Sequence, residues 1–276
     1  MTNKESRINQ LYDACNALIK FAKQMLEACL LKKEKVQSPY RGIVSFYFRR
    51  SWEMFESFII LIKNNRLVDA AVLLRSLCNM FIDLEYISVD PATKELKLLK
   101  YMLEIKRNQL TLINTNLDDL KKSDRNIGLR KDELDTNIKK IEEELKIKYP
   151  EEKSWELSPI EQRARKAGTT PFMLYNMAYR YYSNIEHHNV LFGQYYVDED
   201  ICEPKLHPEE ELKKLSLFQP EATLHMFSQL FFEITKKFSE EFQLNYEDKI
   251  TEMMSLFKKE YNQLKKPKLK NDRGGQ

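Results

Sequence analysis

Residues 70–86 read AAVLLRSLCNMFIDLEY. Apolar side chains occur here at nearly every helical spacing, so a helix formed by this stretch is apolar around most of its circumference. Such a helix is unsuited to a surface, and we expect it to be the buried centre of a bundle of other helices. The turn-forming pairs Asn64-Asn65 and Asp90-Pro91 bound it, which predicts a helix over about 67–88.

Helical patterns fill the chain on both sides of this centre. Apolar residues three and four positions apart predict further long helices over about 5–34, 42–64, 169–193, 219–243 and 246–264, with shorter helices after Ser158 and from Pro208. Only 6 Gly and 9 Pro occur among 276 residues, which indicates few turns and long elements. No alternating strand pattern occurs, so the sequence predicts an all-α multi-helix bundle.

The short helix after Ser158 has a capping signature. Pro159 takes the first helical position, and Glu161 follows Ser158 by three residues. A serine and a glutamate at this spacing are typical of a capping box, in which each side chain bonds the other's backbone amide.

Residues 92–148 have a different character from the rest. Two charged helical segments, 92–122 and 128–148, carry only a narrow apolar stripe, which in the second consists of Leu134, Ile138, Ile141 and Leu145. This pattern predicts a long charged antiparallel helical hairpin of coiled-coil type. We expect this hairpin to be a surface for a protein partner or a second copy rather than a catalyst.

The predicted organisation therefore has four parts. Residues 1–91 form the N-terminal helices of the core bundle, 92–148 the hairpin, and 149–264 the C-terminal helices that complete the bundle. Residues 265–276 are a basic tail whose polar composition predicts disorder.

Composition excludes several classes of protein. The net charge of +3 gives no global attraction to nucleic acid, and a mean hydropathy of -0.57 argues against an integral membrane protein. No signal-peptide pattern begins the chain and four cysteines are widely spaced, so we expect a cytoplasmic protein. No histidine or cysteine set has metal-site spacing and no glycine-rich phosphate loop occurs, so we expect neither metal nor cofactor.

Two polar stripes interrupt the apolar helices. They consist of Arg75, Asn79 and Asp83 on the central helix, and of Arg180, Asn184 and His187 on the helix predicted over 169–193. Members of each stripe share a helix face, because they are separated by about one or two turns. A buried arginine needs a partner, and Asp83 or Glu85 is a candidate for Arg75 or Arg180.

The Arg180 stripe suits the cleavage of RNA. An arginine fork fits phosphate oxygens, and a histidine can give or take a proton near neutral pH, so Arg180 and His187 are the candidate catalytic pair. Asn184, Arg75, Asn79 and Asp83 are candidate supporting or binding residues. A homodimer would place two such pairs across its axis and supply both proton transfers.

The same stripes have two other interpretations. They can be satisfied polar seams that fix helix register in a non-catalytic module, whose 92–148 hairpin binds a partner. They can also form a pocket for a nucleotide or other small anion, built from Arg75, Arg180 and His187.

The stripes also carry a resemblance. Residues 70–77, the connection at 153–155 and residues 182–187 look like the signatures of a bacterial all-helical domain family of unknown function. The Arg180-to-His187 spacing further resembles the HEPN (higher eukaryotes and prokaryotes nucleotide-binding) superfamily. That resemblance implies a dimeric, metal-independent endoribonuclease that serves as a toxin or anti-phage effector, with Arg180 and His187 as its active pair.

Overall fold

A computed structural model describes residues 3–31, 38–117, 119–120, 126–186, 215 and 219–265. The predicted all-α fold is confirmed, and no strand occurs in these ranges. None of the helices described is both long enough and apolar enough to cross a membrane. The helices are α1 Asn3–Leu31, α2 Pro39–Lys63, α3 Leu67–Ser88, α4 Lys94–Thr115, α5 Ile127–Lys148, α6 Ile160–Ala167, α7 Thr169–Leu174, α8 Arg180–Glu186, α9 Pro220–Glu241 and α10 Glu247–Lys265, with a π-helix over Tyr175–Tyr179 between α7 and α8.

The helix boundaries differ from the prediction in specific places. Helix α2 begins at Pro39 rather than near residue 42, because proline's fixed φ suits a first helical turn. The capping box predicted at Ser158 does not form: α6 begins at Ile160 after Pro159, without a side-chain cap. Lys166 Nζ instead donates to Ser158 Oγ at 3.5 Å. The predicted helix from Pro208 and the helix ends near 34 and 193 lie outside the described residues.

One compact unit consists of Met1–Phe81 and Leu174–Gln276. Its core includes an aromatic contact between α2 and α9. The ring of Phe48 stacks on Phe238 with centroids 4.0 Å apart, and Phe55 stacks on Phe227 at 5.3 Å. All four rings are buried, so this contact supplies a large apolar area together with favourable ring geometry.

The other compact unit consists of Ile82–Met173 and contains the predicted hairpin. Helices α4 and α5 pack around five buried side chains, Leu99, Leu103, Ile138, Ile141 and Leu145. Arg107 of α4 pairs with Glu142 of α5 at 2.7 Å, and Glu95 pairs with Lys148 at 2.6 Å, so the two helices run antiparallel.

A buried ion pair fixes α6 within this second unit. The guanidinium of Arg163 donates to the carboxylate of Asp83 at the end of α3. Their side chains are only 12% and 3% exposed. Two charges withdrawn from water in this way depend on each other, because either one left alone is costly to bury.

Replacing Asp83 with alanine should therefore destabilise the protein strongly. We expect the free energy of unfolding to fall by about 3–5 kcal/mol, because Arg163 loses the carboxylate that compensates its charge. Urea denaturation followed by circular dichroism measures the change. The control is Glu161→Ala, which breaks an exposed pair with Arg165 and should cost less than about 1 kcal/mol. Equal losses would contradict a stabilising role for the buried pair.

Two thiols and a phenol that are shielded from water predict how the stability of the protein depends on pH. Burial raises the pKa of the Cys15 and Cys78 thiols from 9.0 to about 12. Burial, followed by the nearby Cys15 and Glu221, raises the pKa of the Tyr12 phenol from 10.0 to about 12. The folded chain thus keeps protons that the unfolded chain releases, so the stabilisation is complete below pH 9 and is lost as the pH rises towards 12.

We expect the free energy of unfolding to decline steadily from pH 9 upwards in urea titrations at successive pH values. Neither Cys15 nor Cys78 should react with a thiol reagent before the protein unfolds. A Cys15→Ala variant should show a shallower decline, since one of the linked groups is missing. If Cys15→Ala leaves the decline of the unfolding free energy with pH unchanged, the Cys15 thiol is not one of the linked groups.

Candidate functional site

The candidate site lies on the continuous helical stretch formed by the π-helix and α8. Across the π-helix, the backbone amide of Arg180 donates to the carbonyl of Tyr175, five residues earlier. A π-turn holds one residue more than an α-turn, and such turns are frequent at functional sites. Arg180 is the first residue after this widened turn, so the π-helix sets the direction of its side chain.

Arg75 of α3 contacts this stretch through Tyr179. Arg75 Nη2 donates to the Tyr179 hydroxyl at 3.1 Å, and the guanidinium carbon lies 4.7 Å from the centre of the tyrosine ring. The Tyr179 ring also stacks on Tyr175, with centroids 5.4 Å apart. A hydrogen bond, a cation–π contact and a ring stack therefore hold Tyr179 in one position.

One turn further along the same helical stretch, Tyr182 lies near Cys78 of α3. Tyr182 is fully buried, and its pKa is raised, first by burial and then by the nearby Cys78 and Tyr181. Cys78 and Tyr182 follow Arg75 and Tyr179 by three residues each. The order of these two pairs indicates that α3 runs in the same direction as the stretch from Tyr175 to Glu186, which we call the α8 stretch.

Arg180 lies at an open concavity of about 390 Å³. Its side chain is exposed to solvent. The concavity is lined by three tyrosines, two neutral polar residues and this arginine: Tyr175, Asn176, Tyr179, Arg180, Tyr181 and Ser183. No carboxylate is among these lining residues, so the charge they contribute is positive. A guanidinium at the edge of a polar, aromatic concavity can bind a phosphate group through paired N–H donors.

The other predicted site residues have different positions. Asp83 pairs with Arg163 within the unit formed by Ile82–Met173, a partner that the sequence does not suggest. Asn79 follows Cys78 on α3, and its Oδ1 is buried without a hydrogen-bond partner among the described residues. The backbone of Asn184 belongs to α8, but its side chain lies outside the description, as does the whole of His187.

Sequence reasoning missed two residues of these contacts. The sequence does not identify Tyr179 as the partner of Arg75. Its spacing of four from Tyr175 does indicate a stacked pair on one helix face. The sequence also does not identify Arg163 as the partner of Asp83, because it contains no signal that joins positions 80 residues apart. Among the residues described, no three metal-ligating side chains of His, Cys, Asp or Glu lie together.

Comparison with known proteins places the site within a family. Residues 41–204 match the model of a family described as of unknown function, DUF5677. The chain belongs to DUF5677. The matching residues cover more than half of the chain and include both Arg75 and Arg180, so the contact between α3 and the α8 stretch lies within the DUF5677 region. No curated protein and no solved structure was found to match the chain.

Replacing Tyr179 with phenylalanine tests the contact with Arg75. The ring and its stack on Tyr175 remain, but the acceptor for the Arg75 guanidinium is lost. We expect the free energy of unfolding to fall by about 1–3 kcal/mol, because the hydrogen bond involves a charged donor. Chemical denaturation measures the loss. Arg180→Ala is the control: its side chain is exposed, so the change should stay within about 0.5 kcal/mol. A larger loss of stability for Arg180→Ala than for Tyr179→Phe would contradict a stabilising hydrogen bond between Arg75 and Tyr179.

Proposed function

We propose that the chain is a metal-independent endoribonuclease of HEPN type, which binds an RNA phosphodiester at the Arg180 concavity. The observation that carries the proposal is the exposed guanidinium of Arg180 at the edge of a polar concavity, whose described lining residues include no carboxylate. Asn176 and Ser183, four residues before and three after Arg180, add neutral donors on the same lining. His187, seven residues after Arg180 in the sequence, is the proposed proton-transfer residue.

The proposed reaction uses the nucleophile that RNA carries itself. The 2′-hydroxyl loses its proton to a base and its oxygen bonds to phosphorus, while the bond from phosphorus to the 5′-oxygen breaks and that oxygen gains a proton. The products are a 2′,3′-cyclic phosphate and a 5′-hydroxyl. Arg180 would bind the phosphate oxygens and stabilise the negative charge that develops on them. His187 would carry one of the two proton transfers, and a homodimer would bring a second histidine.

This chemistry suits a toxin or anti-phage effector acting on cellular RNA in the cytoplasm. Such a protein needs only its own side chains and the substrate, since neither the base nor the acid requires a metal. The role extends the resemblance of the Arg180-to-His187 spacing to HEPN domains.

A second candidate is a site that binds a nucleotide or another phosphate-bearing anion without cleaving it. The described lining of the concavity favours this alternative, because its residues supply a cation, amide and hydroxyl groups and aromatic rings, and none of them is a histidine or a carboxylate that could serve as a general base. Arg75 would contribute indirectly, by holding Tyr179 in the lining.

Purified wild-type chain and two variants separate these functions. We expect wild type to cleave single-stranded RNA in the presence of EDTA and to leave 5′-hydroxyl ends. His187→Ala should lower the cleavage rate by about 10²–10⁴-fold, as expected for loss of a proton-transfer group, while binding changes little. Arg180→Ala should weaken binding by about 10–100-fold, because a charge-assisted hydrogen-bonded pair is lost, and should abolish cleavage.

The controls match these variants in chemistry. Arg49→Ala removes an exposed arginine from α2 and should change neither binding nor cleavage. An RNA with a single 2′-deoxy sugar should bind but resist cleavage at that position. Binding that depends on Arg180 without any cleavage would support the second candidate alone. If Arg180→Ala leaves both binding and cleavage unchanged, both candidates are wrong.

A further inference from the structure

Two lysines of the unit formed by Ile82–Met173 lie close together. They are Lys97 of α4 and Lys166 of α6, and neither ammonium group makes an ion pair with any residue that the structure describes. Partial burial lowers the pKa of Lys97 and the nearby Lys166 lowers it further, while Asp90 opposes both effects. Like charges brought together repel, so this arrangement is unfavourable until a negative group joins it.

The carboxylates around the two lysines are engaged with other groups. Asp90 accepts hydrogen bonds within its own turn, from the backbone amide of Ala92 at 3.0 Å and from the hydroxyl of Thr93 at 2.7 Å. A second carboxylate, that of Glu152, pairs with Lys100 at 3.0 Å. The fold therefore brings two positive charges together and directs the neighbouring negative charges elsewhere.

Two hydroxyl groups complete the arrangement. Lys166 Nζ donates to Ser158 Oγ at 3.5 Å, and Lys97 Nζ lies 5.1 Å from the centre of the Tyr86 ring. Burial raises the pKa of the Tyr86 phenol, and a hydrogen bond with Ser158 opposes that rise. Ser158 thus links Tyr86 to Lys166. We call Tyr86, Lys97, Ser158 and Lys166 the lysine cluster.

The buried ion pair between Asp83 and Arg163 holds the lysine cluster in place. Tyr86 follows Asp83 on α3 and Lys166 follows Arg163 on α6, each by three residues, which is about one helical turn. The cluster therefore lies one turn beyond a fixed contact. A ligand would find its donors already gathered, which lowers the entropy lost on binding.

The lysine cluster has hydrogen-bond donors to spare. Each ammonium group has three N–H donors. Lys166 uses one of them in its bond to Ser158, and Lys97 donates none to the described residues. Lys166 is exposed to solvent and Lys97 and Ser158 are partly exposed, so a ligand in solution can reach them.

The charge of the cluster selects among anions. A terminal phosphate carries a charge of about −1.5 to −2 near pH 7, which matches two ammonium groups. A phosphate within a nucleic-acid backbone carries a single negative charge and would leave one ammonium group uncompensated. Charge complementarity therefore favours a terminal phosphate.

We propose that the lysine cluster binds a terminal phosphate group through the ammonium groups of Lys97 and Lys166 and the hydroxyl of Ser158. The phosphate can be free in solution or stand at the end of a larger molecule. This proposal goes beyond the proposed function, because no residue of the lysine cluster is among the described residues that line the Arg180 concavity.

Isothermal titration of the full chain with inorganic phosphate, at about pH 8 and constant ionic strength, tests the proposal. The titrations use an Arg180→Ala background, so that phosphate bound at the concavity does not contribute. We expect Lys97→Gln and Lys166→Gln each to weaken binding by about 10–100-fold, because each removes a charge-assisted hydrogen bond. Lys166→Arg should retain binding, since the charge and the donors remain.

The matched control is Lys139→Gln, which removes an exposed lysine from α5 and should leave phosphate binding unchanged. Circular dichroism of each variant verifies that it is folded. In the absence of phosphate, Lys166→Gln should also raise the pKa of Lys97, because a repelling charge is removed. An NMR titration of the Lys97 side chain measures this change, and Lys139→Gln should not produce it.

Further probes identify the ligand class and its source. Dimethyl phosphate has one negative charge and should bind more weakly than inorganic phosphate. Two RNAs that differ only in a 5′-phosphate or a 5′-hydroxyl separate the sources. Tighter binding of the 5′-phosphate RNA that is lost in Lys166→Gln would identify the end of a nucleic acid, whereas equal binding of the two RNAs would identify a small phosphate.

Four outcomes would overturn the proposal. They are a chain that binds no phosphate in the Arg180→Ala background, phosphate binding that neither lysine variant weakens, a pKa of Lys97 that Lys166→Gln leaves unchanged, and dimethyl phosphate that binds as tightly as inorganic phosphate. None of these outcomes depends on whether the Arg180 concavity binds or cleaves RNA.

Discussion

The guanidinium of Arg75 constrains the candidate site more than any other group. It is a permanent charge on α3, the most apolar of the long helices that the structure describes, and a charge withdrawn from water needs a partner that compensates it. Tyr179 supplies a hydroxyl acceptor and a ring face for it. Through this contact α3 fixes the π-helix, the π-helix fixes the start of α8, and the start of α8 fixes where Arg180 meets solvent.

Much of the fold could be predicted because its helices bury continuous apolar faces. The helix predicted over 67–88 is confirmed as Leu67–Ser88, and three of the four predicted stripe residues of α5 are buried. The sequence signals for where a helix begins were less reliable. Ser158 has the composition of a capping box, but its hydroxyl accepts from Lys166 instead, so contacts with nearby side chains override the local preference.

The site could be predicted only in part, because its contacts join residues far apart in the sequence. Spacing placed Arg75 and Arg180 on helical faces, but it did not show that Arg75 would bond Tyr179 across 104 residues or that Asp83 would pair with Arg163. Charge also has to be read locally. A net charge of +3 suggests no anion site, yet the described residues that line the concavity include one cation and no carboxylate.

The π-helix over Tyr175–Tyr179 makes the site depend on how many residues precede Arg180, as well as on which residues they are. An α-helix turns by about 100° per residue, so one residue more or fewer in this segment would direct Arg180 to a different side of the helix. Tyr179 would lose its position opposite Arg75 at the same time. An insertion or deletion here can therefore remove the site while every one of its side chains is retained, and a comparison of homologues that scores residue identity alone would count that site as intact.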